Sequence, residues 1–148
     1  MAVASQTKIT PLISSGTAGP LGAVHLPRLW TKLTLATAGV LPEGYDECGS
    51  GFDAMTLGAL GLNKDEVITY VRTSKPTYVE FEEFVKQKGK TDPETIKKHN
   101  AAIHGYHHGD DLAARMHKDM GSKNHHIRDA VTLNTLEDLH ELHQTVAK

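Results

Sequence analysis

The chain of 148 residues has the length of one globular domain, and its apolar and charged fractions, 39% and 23%, are close to those of folded proteins. Its net charge of −2 and the scattered positions of Lys and Arg disfavour nucleic acid as a partner. One cysteine excludes an internal disulfide, and no apolar stretch approaches the roughly 20 residues that span a bilayer, so we predict a cytoplasmic protein.

Proline and glycine punctuate residues 1–24, which predicts an irregular N-terminal arm before a helical domain at 25–148. Within the helical domain, Leu26, Leu29 and Leu33 recur at the spacing of one helix face, and Gly39 offers a stop. The arm is predicted either to trail free or to lie over the domain surface.

Capping signals predict where the later helices begin. Capping-box spacing occurs at Ser50 with Asp53, Asn63 with Glu66, Thr77 with Glu80 and Asn134 with Glu137, and Asp92 and Asp110 offer two further caps. No segment shows the alternation of a strand. The sequence therefore predicts an all-α protein, a single compact domain of about seven helices.

The first helix carries a flank of cations. Arg28 and Lys32 lie together at i and i+4, with His25 close to the same flank. Such a group is suited to hold a carboxylate or a phosphate, with Arg28 providing a bidentate fork. The alternative, an ordinary solvated helix face, stays open.

The loop GYDECGSGFD follows the first helix and contains the only cysteine, Cys48. The hypothesis is that the positive end of the next helix lowers the pKa of this thiol and makes it a nucleophile; a buried, inert cysteine is the commoner outcome for a free cysteine. Tyr45 and Asp53 add polar groups to the same loop.

Nine of the ten histidines lie between His99 and His143, which suggests a metal site as a second hypothesis. In AAIHGYHHGDD, an uninterrupted helix would place His104, His108 and Asp111 on one face, and His107 lies beside them. Gly105 and Gly109 favour instead a helix that ends near His104, a turn, and a new helix capped by Asp110.

Two histidines of the last helix, His140 and His143, fall in or beside a stripe of leucines. We interpret them as hydrogen-bonded core histidines. The alternative is that they act as ligands to a metal or as a general base in a cleft.

Several stretches resemble a bacterial family without an assigned activity, domain of unknown function family 5069. The resemblance rests on LGAVHLPRLWTKL at 21–33, on GYDECGSGFD at 44–53 and on the spacing of the helical segments up to residue 103. Glu47 and Gly49 stand where the family carries Asn and Pro. The resemblance singles out the positions that match the family motifs: His25, Pro27, Arg28, Lys32, Tyr45, Cys48 and Asp53.

The leading hypothesis is that the protein binds a small anionic molecule between the first helix and the Cys48 loop, without a cofactor; whether it also acts on this molecule as an enzyme stays open. His25, Tyr45 and Cys48 are the candidate catalytic residues; Arg28, Lys32 and Asp53 are the candidate ligand-binding residues. The alternatives are a protein that binds Zn, Ni or Fe through the histidine-rich segment and a noncatalytic interaction module. A homo-oligomer is compatible with each, and the sequence does not specify the ligand or the reaction.

Overall fold

The computed structural model describes residues 7–147, and within this range it confirms the all-α prediction. The described chain contains seven helices and no strand beyond two isolated bridges. The helices are α1 (Leu26–Thr37), α2 (Phe52–Ala59), α3 (Lys64–Ser74), α4 (Tyr78–Lys88), α5 (Pro93–His104), α6 (Asp110–Met120) and α7 (Ala130–Val146).

Three of the predicted N-cap residues are confirmed as the N-caps of their helices. The side chain of Asn63 accepts a hydrogen bond from the backbone of Glu66, and that of Asp92 accepts one from Thr95. Thr77 and Glu80 form a complete capping box at α4. These side chains satisfy N–H groups that the first turn of a helix leaves without partners.

The other three caps were predicted at the wrong residues. The N-cap of α2 is Gly51 and that of α6 is Gly109, so neither Ser50 nor Asp110 is the cap. The last helix begins four residues before Asn134, because Asp129 accepts a hydrogen bond from Thr132 and caps it there. Asp53 therefore takes no part in a capping box with Ser50, and its carboxylate contacts other groups, which are described below.

Helix α1 occupies the centre of the largest hydrophobic cluster. Its leucines Leu26, Leu29 and Leu33 are fully buried and pack with side chains of α3 and α4, including Val67 and Phe81. Smaller clusters join α2 to α5 and α6 to α7. Because α1 is enclosed on several sides, the polar side chains at its beginning are also removed from water.

Residues 7–24 lie across the helices through turns and one short bridge between Ala18 and Val24. The backbone N–H of Leu21 donates to the carboxylate of Glu82 on α4, and that of Val24 donates to Asn100 on α5. The described part of the predicted arm is therefore docked onto the helices, and residues 1–6 lie outside the described range.

Across residues 7–147, none of the helices combines the length and the apolarity that a membrane crossing requires.

Two glycines offer a matched test of the packing around α2. Gly58 lies inside α2, and a Cβ added there would meet only open space, whereas a Cβ at Gly89 would lie 2.6 Å from the backbone oxygen of Leu60. We expect Gly58→Ala to raise the free energy of unfolding by up to about 1 kcal/mol, since alanine is the better helix former. Gly89→Ala should lower it by about 1–3 kcal/mol through overpacking. Urea denaturation of both variants measures these changes, and an equal response would contradict the packing.

Candidate functional site

His25 stands at the N-cap of α1 in a left-handed backbone conformation, with φ 71° and ψ −22°. The left-handed conformation is uncommon for a residue other than glycine and persists only where the surroundings hold it. The side chain is 2% exposed. Its Nδ1 lies 3.0 Å from Ser15 Oγ and its Nε2 lies 2.6 Å from Asp53 Oδ1. Both ring nitrogens therefore have a partner in the buried site.

Asp53 joins α1 to the loop before α2. Besides its contact with His25, its Oδ2 accepts hydrogen bonds from Lys32 Nζ at 2.5 Å and from the backbone N–H of Gly49 at 2.7 Å. Burial alone would raise the pKa of Asp53, but the hydrogen bond from His25 and the charge of Lys32 outweigh it and hold the pKa at about 2. The carboxylate is ionised at neutral pH.

The protonation of His25 follows from its surroundings. Burial lowers the pKa of His25 below its ordinary value, against the opposing effect of Asp53. A neutral ring satisfies both contacts when Nε2–H donates to Asp53 and Nδ1 accepts from the Ser15 hydroxyl. At neutral pH the ring is a base whose orientation is fixed by a carboxylate on one side and a hydroxyl on the other.

A second buried ion pair lies one helical turn after His25. Arg28 donates from Nη1 and Nη2 to the two carboxylate oxygens of Asp138 on α7, at 2.6 and 3.0 Å. Its Nη1 also donates to the carbonyls of Pro11 and Ile13 in the N-terminal segment. This one guanidinium therefore connects the N-terminal segment, α1 and α7.

Tyr45 completes the second pair from the loop. Its hydroxyl donates to Asp138 Oδ1 at 2.9 Å. Burial and the negative charge of Asp138 raise the pKa of Tyr45 above its ordinary value, so the phenol stays protonated and acts as a donor.

His25, Arg28, Lys32, Tyr45 and Asp53 line one solvent-connected cavity of about 210 Å³, which we call the polar hollow. The rest of its lining consists of Ser15, the other residues of 44–46 and 49–53, and Asn134 and Glu137 of α7. Helix α1 and the loop before α2 thus meet at this cavity, although Cys48 does not line it.

The electrostatics of the polar hollow differ from the predicted cationic flank. Arg28 and Lys32 are 6% and 8% exposed, so they do not form an ordinary solvated face. Asp138 and Asp53 balance their charges. Burial, and next the charge of Asp138, raise the pKa of Glu137 above its ordinary value. The lining holds two cations, Arg28 and Lys32, and three acidic side chains, Asp46, Asp53 and Glu137, so the hollow is a polar site of mixed charge and not a strongly positive one.

The N-terminus of α2 faces the polar hollow. Gly51, its N-cap, offers no side chain that could accept a hydrogen bond from the first turn, and residues 50–53 all line the hollow. Backbone N–H groups at a helix start attract negative charge, both directly and through the helix dipole. Lys32 and this helix start thus lie on the same cavity.

Cys48 is placed differently from the prediction of a nucleophilic thiolate. It is buried in the hydrophobic cluster around α1 and is absent from the lining of the polar hollow. Burial, and next the negative charge of Asp53, raise the pKa of its thiol above the ordinary value. The sulfur packs as a small apolar group, which favours the alternative of a buried, inert cysteine over a nucleophile.

The predicted metal ligands do not form one site. Helix α5 ends at His104 and α6 begins at Asp110, so the uninterrupted helix that would align His104, His108 and Asp111 is absent. His107 forms a backbone bridge with Asp129, and the His108 ring bonds to Asn134. In residues 7–147 no three His, Cys, Asp or Glu side chains are arranged to hold a metal ion. The interpretation of this segment as a helix end and a turn is the correct one.

The last helix buries a different face from the predicted one. His143 is exposed and His140 is only partly buried, whereas Leu133 and Asp138 are buried. The core-histidine interpretation of His143 is therefore wrong. Asp138 points inward, where its carboxylate accepts hydrogen bonds from Arg28. An apolar stripe in the sequence cannot reveal a buried carboxylate whose partner is 110 residues away.

Ser15 is a residue of the site that sequence reasoning missed. It lies in the irregular segment, where no periodicity indicates which side chains face inward, and it is 1% exposed. Its only sequence signal is a small polar residue in a stretch rich in such residues.

No family model matches the chain, and no curated protein is significantly similar to it. The resemblance to domain of unknown function family 5069 therefore stays a prediction.

Removing one partner of the Arg28–Asp138 pair should destabilise the protein strongly, and removing the second partner as well should restore part of the lost stability. Arg28→Met leaves Asp138 buried without its partner and should lower the free energy of unfolding by about 3–5 kcal/mol. Arg28→Met combined with Asp138→Leu removes both charges and should recover at least half of that loss. Urea denaturation measures the cycle. Arg72→Met, which breaks the exposed pair with Glu47, is the control and should stay within about 1 kcal/mol of the wild type.

The buried histidines predict a loss of stability on acidification. Burial lowers the pKa of both His25 and His99 below the ordinary 6.5. Below pH 6.5 the unfolded chain binds protons that the native rings reject, so the free energy of unfolding should fall with pH, by up to about 1.4 kcal/mol per pH unit for each histidine. Asp53 contributes only at lower pH, since its stabilisation is lost as the pH falls from 3.8 to about 2.

Urea denaturation between pH 8 and pH 5 tests this dependence. His25→Asn, in which Asn tolerates the left-handed backbone, and His99→Gln should each flatten the pH profile. The exposed His143→Gln is the matched control. Parallel profiles for wild type, His25→Asn and His99→Gln would contradict the assignment.

Proposed function

We propose that the protein binds a small molecule with a carboxylate or phosphate group in the polar hollow and acts on it by acid–base chemistry. The observation that carries the proposal is that Lys32, the His25–Asp53 pair and the uncapped start of α2 line one cavity that is open to solvent. We also propose that the protein works in the cytoplasm, as its composition suggests.

Lys32 and the start of α2 are the groups that would hold the anion. An ammonium group has three N–H donors, and Asp53 engages one of those of Lys32, so two remain for a ligand. The N–H groups at the start of α2 supply further donors and a positive partial charge. This division of roles assigns Asp53 to positioning and Lys32 to binding.

Arg28 would shape the hollow more than bind the ligand. Its two terminal nitrogens already donate to Asp138, Pro11 and Ile13. The pair keeps Tyr45 and α7 in place along one wall. In this picture, the bidentate fork expected from the sequence serves an internal carboxylate.

His25 would move the proton. Its neutral ring accepts a hydrogen bond from Ser15 at Nδ1, and Ser15 itself lines the hollow, so a proton leaving a ligand or the Ser15 hydroxyl reaches Nδ1 by a short path. The ionised Asp53 stabilises the imidazolium that forms, since Nε2–H points at it. The proposal includes proton transfer and leaves the bond that the reaction breaks unspecified.

Binding can be tested directly with acetate and inorganic phosphate as probes. In a titration followed by NMR of the backbone amides, we expect the amides of 49–53 to shift in the wild type. Lys32→Met should weaken binding by about tenfold or more, because it removes a charged hydrogen bond. Lys97→Met, at an exposed lysine of α5, is the matched control and should bind as the wild type does.

Two outcomes would overturn the proposed function. One is that neither probe shifts the amides of 49–53 at concentrations up to tens of millimolar. The other is that Lys32→Met and Lys97→Met bind equally well while both remain folded by circular dichroism.

A further inference from the structure

A second cavity adjoins the polar hollow around the start of α2. It has a volume of about 390 Å³, and we call it the apolar hollow. Ser50, Gly51, Phe52 and Asn134 line both cavities. Because one helix start forms part of both linings, the two hollows are neighbouring parts of one groove.

The two halves of the groove differ in chemistry. The side chains that only the apolar hollow exposes are Met55, Tyr106, His108, Leu112 and Ala130. None of them is a carboxylate, an amine or a guanidinium. The lining of the polar hollow, in contrast, includes the Lys32–Asp53 ion pair and the guanidinium of Arg28. The groove is therefore divided into a charged half and an uncharged, mostly apolar half.

Aromatic contacts connect the two halves through Phe52. Its ring packs edge-on against His25 in the polar hollow, with centroids 5.6 Å apart, and against Tyr106 in the apolar hollow at the same distance. His108 Nε2 lies 3.1 Å from Asn134 Oδ1, so these two polar atoms at the border already have a partner. The apolar hollow thus presents a fixed wall and few polar groups that need a ligand.

Two of its walls are apolar side chains left in contact with solvent. Tyr106 is 46% exposed and Leu112 is 37% exposed. When a ligand covers partly exposed apolar side chains in a concave site, their removal from water stabilises the complex. Since they adjoin a site for a charged group, the ligand that fits both halves has a charged end and an apolar end.

We propose that the ligand is an amphipathic anion, with its carboxylate or phosphate in the polar hollow and a hydrocarbon tail of several carbons in the apolar hollow. This proposal rests on the proposed function, because the polar hollow must first hold the anionic end. It narrows the substrate class from small anions in general to medium-chain or arylalkyl acids and monophosphate esters.

Two matched series of probes test the tail. They are the straight-chain carboxylates from acetate to octanoate and the monoalkyl phosphates of the same chain lengths, titrated against the full chain by NMR. Affinity should rise about two- to fourfold with each added methylene, because burial of a methylene in an apolar site stabilises the complex, and should level off once the apolar hollow is filled. The series that binds more tightly identifies the preferred head group.

Substitutions in the apolar hollow test whether the hydrocarbon tail binds there. Leu112→Gln and Met55→Gln should flatten the dependence on chain length while leaving acetate and phosphate binding unchanged, because neither residue lines the polar hollow. Leu139→Gln is the control, since Leu139 is an exposed leucine of α7 outside both cavities. It should preserve the full dependence on chain length.

The outcomes separate this inference from the proposed function. Equal affinity for all chain lengths, with acetate or phosphate still bound at 49–53, overturns the tail site and leaves the proposed function standing. A chain-length dependence that Leu112→Gln and Met55→Gln do not change also overturns it, because the tail then lies elsewhere. Failure of every probe to bind overturns both proposals.

Discussion

The carboxylate of Asp53 is the constraint around which the site is built. It is buried, ionised and shared by the His25 ring, the Lys32 ammonium and a backbone N–H of the loop. A buried charge of this kind is tolerated only when opposite charges and donors surround it. Asp53 therefore fixes the distance between the beginning of α1 and the beginning of α2, and the cavity between them follows from that distance.

The Arg28–Asp138 pair extends the same principle to the rest of the molecule. It links the N-terminal segment, α1 and α7 through one guanidinium. The buried apolar side chains of α1 and those of α7 belong to different hydrophobic clusters, so this ion pair joins two helices that no single cluster joins. The cavity walls belong to elements that meet through charge, while the interior of each cluster is held by apolar packing.

The sequence predicted what is local and missed what is long-range. Helix periodicity and the caps at Asn63, Thr77 and Asp92 depend on residues a few positions apart, so they could be read directly. The grouping of His25, Arg28 and Lys32 also followed from one helix. Asp138 and Ser15 could not be found this way, because a buried polar residue is recognised only by its partner. The two interpretations of Cys48 could not be separated, because its position near a helix start does not tell whether the sulfur faces a cavity or the core.

The left-handed backbone at His25 has a consequence for how the molecule assembles. For residues with a side chain this conformation costs about 1–2 kcal/mol, and an isolated chain would not hold it. Ser15 and Asp53, which anchor the imidazole, come from opposite sides of α1 along the chain. The native backbone at the start of α1 is therefore held by contacts from both flanking segments, so disturbing either segment should disturb the helix start and the cavity together.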